Sequence, residues 1–182
     1  QGIDHVDAGF GTTFFQHILS CPDALTYNYL YYLTGLLGGM WNGALGGYGL
    51  MGFRVFEALL LTATVAVLAA LYRRWMSSPV LLSAAIGMSF LFPTIVTTLH
   101  YNTVTYALVV CAAYCYVRGE EQHQHQVRSL ALMLAAGVFI GMAFFARIVN
   151  LTLLALVAVP WLLPGQTVGS RLRKSGSLLL GM

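Results

Sequence analysis

Charge is what this sequence has least of. Six acidic and nine basic residues serve 182 positions, 8% of the chain, where soluble domains carry roughly 25%. So few ionic groups cannot clothe a water-facing surface. With 58% hydrophobic residues and a mean hydropathy of +0.75, the chain reads as a polytopic membrane protein. The basic residues lie scattered between apolar runs, so the net charge of +3 makes no nucleic-acid patch. Cysteine is scarce too. Cys111 and Cys115 share a face of one apolar run and read as packing, and Cys21 has no evident partner, which excludes a disulfide framework.

What is plentiful is apolar length. A bilayer core of about 30 Å needs roughly 20 residues of helix. Runs near that length fall at about 50–72, 79–98 and 103–117, the second carrying Pro93 as an expected kink. The stretch 130–163 would be about 50 Å long as one helix. It is therefore expected to fold as two spans, 130–146 and 148–163, turning near 146–150. Another run opens near Ser177. Because the sequence stops inside that run and does not begin with Met, it is expected to be a segment of a longer protein, inactive as it stands. The expected fold is all-α: a polytopic transmembrane helix bundle over 50–182, preceded by an extracytoplasmic stretch, 1–49.

Alternating these spans puts Arg73, Arg74, Arg118, Arg128, Arg171, Arg173 and Lys174 on one side, seven of the nine basic residues. By the positive-inside rule that side is cytoplasmic. Residues 1–49, the turn at His100–Asn102 and the turn at Arg147–Asn150 then face outward. Within 1–49, Phe10, Phe14, Phe15, Ile18 and Leu19 have helical spacing and suit a juxtamembrane helix lying in the interface. Eight of nineteen glycines fall between Gly35 and Gly52. The spacing Gly35/Gly39/Gly43/Gly47 permits either close helix approach or a bent re-entry, and Gly137/Gly141 reads as packing.

The polar residues outside the cytoplasmic loops converge on the outer face. Asp4 and Asp7 can act as a general base with a supporting carboxylate, or ligate a divalent cation such as Mg or Mn with His5. A solvated loop start or a helix N-cap accounts for them as well. Arg147, an arginine on the side that arginines avoid, calls for an anion, and its planar fork fits phosphate bidentately; snorkelling to headgroups is the alternative. Arg54 and Glu57, three apart on one face, favour a mutual ion pair. His100 and Asn102 are candidate phosphate-positioning residues or plain turn residues. His123 and His125 give only a solvated cytoplasmic loop, and the Asn150 sequon sits too near the membrane for glycosylation.

Three motifs carry a resemblance: Asp7-Ala8-Gly9-Phe10 leading into an interfacial helix, His100-Tyr101-Asn102-Thr103, and the run 144–150, FFARIVN. In layout the chain resembles the multi-pass glycosyltransferases of the GT-C type, relatives of protein mannosyltransferases and aminoarabinose transferases. The resemblance implies a bacterial cytoplasmic-membrane enzyme that moves a sugar from a polyprenyl-phosphate donor to an extracytoplasmic acceptor. It implies Asp7, with Asp4 second, as the catalytic base or metal ligand. Arg147 would hold the donor phosphate, and His100, Asn102, Arg54 and Glu57 would help bind it. Beside this stand two other readings: a transporter or flippase subunit for a lipid-linked saccharide, and a non-catalytic structural subunit of a membrane complex.

Overall fold

A computed structural model describes residues 5–24, 30–95, 99–122, 125–162 and 167–182, and among these every regular element is helical. The α-helices are α1 (His5–His17), α2 (Tyr32–Leu45), α3 (Gly49–Tyr72), α4 (Ser78–Ile95), α5 (Tyr101–Glu121), α6 (Gln126–Ala146), α7 (Val159–Leu162) and α8 (Val168–Gly181). Short 3₁₀ segments occupy Pro22–Ala24, Gly46–Tyr48 and Ile148–Ala158. Two compact units result: Gln1–Ala107 with Phe145–Arg147, and Leu108–Phe144 with Ile148–Met182.

In the first unit, α1 and the turn after it bury Phe14, Phe15 and Ile18 against the glycine face of α2. A methyl group on Gly35 or Gly38 would collide with the Phe14 or Phe15 ring, and one on Gly39 with Ile18. Of the two readings of the glycine run, close helix approach is the one formed. It uses Gly35, Gly38 and Gly39, an i, i+3, i+4 face, whereas Gly43 has open space around it. The helices α2 and α3 are clamped by Trp41, whose ring stacks on Phe56 at 4.6 Å and whose Nε1 donates to the Gly52 carbonyl at 2.9 Å. The chain enters α3 through Gly49 at φ +52°, a conformation that favours glycine.

In the second unit, α6 and α8 lie close enough for backbone contact. Met133, Ala136 and Leu178 are fully buried together, with Cys115, Tyr116 and Val157 packed around them. Cys115 thus packs, as its position implied. Gly137 and Gly181 let the two backbones touch, and Gly141 lies against Met182. At the turn from α5 to α6, the Ser129 hydroxyl donates to the Gly119 carbonyl at 2.7 Å.

Among the described residues, α3 and α6 are long and apolar enough to cross a membrane, with hydropathies of 2.1 and 2.2. Several expected boundaries need correction. The expected interfacial helix at Phe10–Leu19 starts earlier, at His5, so that Asp7 lies inside a helix instead of in a loop. The span expected at 103–117 belongs to a longer helix, α5, whose tyrosines and polar ends dilute its hydropathy. The helix α4 covers most of 79–98 and continues past Pro93 to Ile95; 96–98 lie outside the described residues.

The largest correction concerns 148–163. Its described part, 148–162, forms an 11-residue 3₁₀ segment and then four residues of α-helix, not an α-helical span. Proline explains part of this: Pro160 has no N–H to give to residue 156, and its ring crowds that carbonyl. Asn150 contributes as well, its amide donating to the Ala143 carbonyl at 2.7 Å and closing the end of α6. That amide is thereby engaged with the backbone at the sequon. Likewise, the stretch 164–176, expected to be a loop before a span at 177, is helical from Val168 onward. The Thr167 side chain caps that helix by accepting from the Ser170 N–H.

Candidate functional site

The site residues that can be placed gather at the start of α5. His100 precedes the helix and caps it: its carbonyl accepts from Thr103 and Val104, and its Nδ1 accepts from the Asn102 N–H at 3.3 Å. Asn102 and Thr103 are in the first turn, where N–H groups are otherwise unsatisfied. Asn102 turns its amide oxygen outward and accepts from Arg147 Nη1 at 2.9 Å. The Arg147 guanidinium lies 5.1 Å from the centre of the Tyr101 ring, within the range of a cation–π attraction. Arg147 immediately follows the last residue of α6, where a cation complements the helix dipole. The Thr34 hydroxyl makes a long 3.5 Å contact to the carbonyl of Ala146, next to it.

Beside this turn lies a cavity of about 170 Å³, lined by Phe14, Phe15, Tyr31, Thr34, His100 and Tyr101, among others. Tyr31 stacks on Tyr101 at 4.3 Å and 19°. Tyr101 therefore belongs both to the cavity wall and to the platform under Arg147. The wall is largely aromatic with the His100 imidazole in it, and Tyr101 connects it to Arg147 and Asn102, which suits a ligand with an apolar body and a phosphate.

Glu57 reaches the same turn from α3. It is 4% exposed, and its Oε1 accepts from the Thr103 hydroxyl at 2.6 Å. The carboxyl also accepts from the His100 backbone N–H. Its Oε2 is buried with no hydrogen-bond partner. A carboxylate here acts as a cap on α5 from another helix, facing the positive end of the dipole. The expected Arg54–Glu57 ion pair is not formed: the carboxyl turns to α5, and Arg54 Nε is buried without a hydrogen-bond partner. The reason is competition, since a hydroxyl and a backbone N–H converge on the carboxyl, while an i, i+3 pair adds only ~0.2–0.5 kcal/mol.

Of the expected site residues, Arg147, Asn102, His100 and Glu57 thus come together, and Arg54 does not join their hydrogen bonds. Asp4 lies outside the described residues. Asp7 is placed by its backbone in α1, the helix that supplies Phe14 and Phe15 to the cavity, and its side chain also lies outside what is described. The divalent-cation expectation rests on those two carboxylates. Among the described residues no group of three or more His, Cys, Asp or Glu stands together. Sequence reasoning missed Tyr31, Thr34 and Thr103. For Thr103 a signal existed: it is a hydroxyl in the first turn after a polar cap. Compared with known proteins, the chain matches no family model, no curated protein and no solved structure.

Proposed function

We propose that this chain belongs to a multi-pass membrane glycosyltransferase of the GT-C type, which moves a sugar from a polyprenyl-phosphate donor to an acceptor at the extracytoplasmic face of a bacterial cytoplasmic membrane. The observation that carries this reading is the seating of Arg147: hydrogen-bonded to Asn102, at the positive end of α5 and over Tyr101, a ring that walls an aromatic cavity. A guanidinium has five N–H donors, and Asn102 takes one of them. The remainder of the fork suits a phosphate, which the helix N-terminus also favours. The aromatic wall suits the polyprenyl chain entering from the lipid. In the reaction, Asp7 takes the proton of the acceptor hydroxyl and that oxygen attacks the anomeric carbon. The bond from that carbon to the phosphate oxygen breaks, and the departing lipid phosphate keeps the electron pair beside Arg147.

The test is native mass spectrometry of the full-length protein in mild detergent, with a transfer assay alongside. Arg147→Ala is expected to lose co-purifying polyprenyl-phosphate sugar by roughly ten- to a hundredfold, the worth of a charge-assisted hydrogen bond. Arg147→Lys should keep part of it, because the charge remains and the fork does not. Asp7→Asn should retain the lipid and transfer no sugar. Equal lipid retention by wild type and Arg147→Ala would end the proposal.

A further inference from the structure

A second cavity, also of about 170 Å³, lies in the other unit and plays no part in the site above. Its wall includes Gln122, Gln126, Ser129, Ser170, Arg173 and Lys174. Gln126 and Ser129 belong to the first turn of α6, and Ser170 to the first turn of α8. Two long helices thus direct their positive ends at one polar hollow, where two cationic side chains also stand. Lys174 is 7% exposed and is held by Glu120 at 2.6 Å, so its charge is largely compensated. Arg173, exposed at the rim with Nε donating to the Gly169 carbonyl at 3.3 Å, is left as the principal counter-charge for an anion.

What selects among anions is the surface next to the hollow. The outward side of α8 is apolar, with Val168 and Leu179 exposed, Leu172 57% exposed and Leu180 84% exposed. By helical position the three leucines lie on the side of α8 away from Lys174 and Leu178, and Arg173 stands at their border. A soluble anion has no use for such a stripe, whereas a lipid does: its phosphate enters the polar hollow and its acyl chains follow the leucines. Basic pockets between helices at the cytoplasmic side of a membrane are suited to anionic headgroups, and the basic residues assign this end of α6 and α8 to that side.

We infer that the hollow between the N-terminal turns of α6 and α8 is a binding site for the phosphate of an anionic phospholipid, with Arg173 as its principal contact. The inference needs the membrane placement but not the transferase reading. The experiment is native mass spectrometry of the full-length protein delipidated in mild detergent and offered phosphatidylglycerol against phosphatidylcholine. Wild type is expected to retain phosphatidylglycerol selectively, Arg173→Gln to retain about tenfold less, and Arg74→Gln, a basic residue seated over Trp75 in the first unit, to match wild type. Arg173 is exposed, so its replacement leaves the fold intact. Two results would overturn the site: phosphatidylglycerol retention unchanged in Arg173→Gln, or an equal fall in Arg74→Gln, which would mark general surface attraction. A third, Arg173-dependent displacement of the lipid by millimolar inorganic pyrophosphate with no preference between the two lipids, would replace the lipid by a soluble phosphate.

Discussion

Gly137→Val is expected to cost the protein about 3 kcal/mol or more, by driving α6 and α8 apart. For a chain of this size that is a fall in thermal midpoint of roughly 6–12 °C. The argument is steric and concerns backbone. A Cβ on Gly137 would overlap the Leu178 carbonyl oxygen and stand 3.0 Å from the Gly181 Cα. Neither neighbour is the end of a flexible side chain, so relief requires moving a helix, and Leu178 with Met133 and Ala136 forms the buried core that would open. Gly176, also on α8, has nothing within 4 Å of its added Cβ. Gly176→Ala should therefore leave the midpoint unchanged or raise it, because alanine is the better helix former by up to about 1 kcal/mol. Thermal unfolding followed by circular dichroism in detergent checks both. If Gly137→Val melts with wild type, the close approach of α6 and α8 is wrong.

The helices were legible because their signals are local. The apolar run at 50–72 became α3 to within one residue, and the run at 130–146 ends with α6 at Ala146 although that helix starts four residues earlier, at Gln126, since length and hydropathy alone mark a span. The run expected at 148–163 has the same apolar content, yet 148–158 is a 3₁₀ segment; Pro160 and the Asn150 amide on Ala143, which contribute to this, act through hydrogen bonds that hydropathy does not see. The stretch around Arg171–Lys174 looked like a loop because its charges outweighed its leucines. It is a helix because Thr167 caps it and one side packs on α6 through Leu178. At the site, Arg147 stood out as an arginine out of place, and Asn102 and His100 through their turn. That they gather was expected from the alternation of the spans, but the Arg147–Asn102 hydrogen bond itself could not be read, since the two are 45 residues apart. Nor could the destination of Glu57: the nearest cation in sequence, Arg54, was the obvious partner, and tertiary packing chose Thr103, 46 residues on.

That choice gives the second large effect. Thr103→Val is expected to destabilise by about 2–4 kcal/mol, because it strips the hydroxyl from a carboxyl that has no access to water. Glu57→Leu should cost less, since the groups it orphans, the Thr103 hydroxyl and the His100 N–H, are neutral, whereas Thr103→Val strands a buried carboxyl, although α5 loses its cap. In the double variant the two losses should not add. With both partners apolar the buried penalty of Thr103→Val vanishes, leaving a coupling of about 2 kcal/mol, readable from thermal midpoints of the four proteins. Strict additivity would show that the 2.6 Å contact carries no energy. A consequence for the site follows from the same geometry. The Glu57 carboxyl holds the turn that begins at His100, and that turn presents Asn102 to Arg147. Glu57→Leu, which does not touch Arg147 and meets the cavity wall only through the His100 backbone N–H, should then weaken retention of the phosphate lipid by about tenfold through misplacement alone. Glu57→Gln keeps an oxygen for Thr103 and should restore most of that retention, a pattern expected of a positioning residue and not of one that carries charge to the ligand.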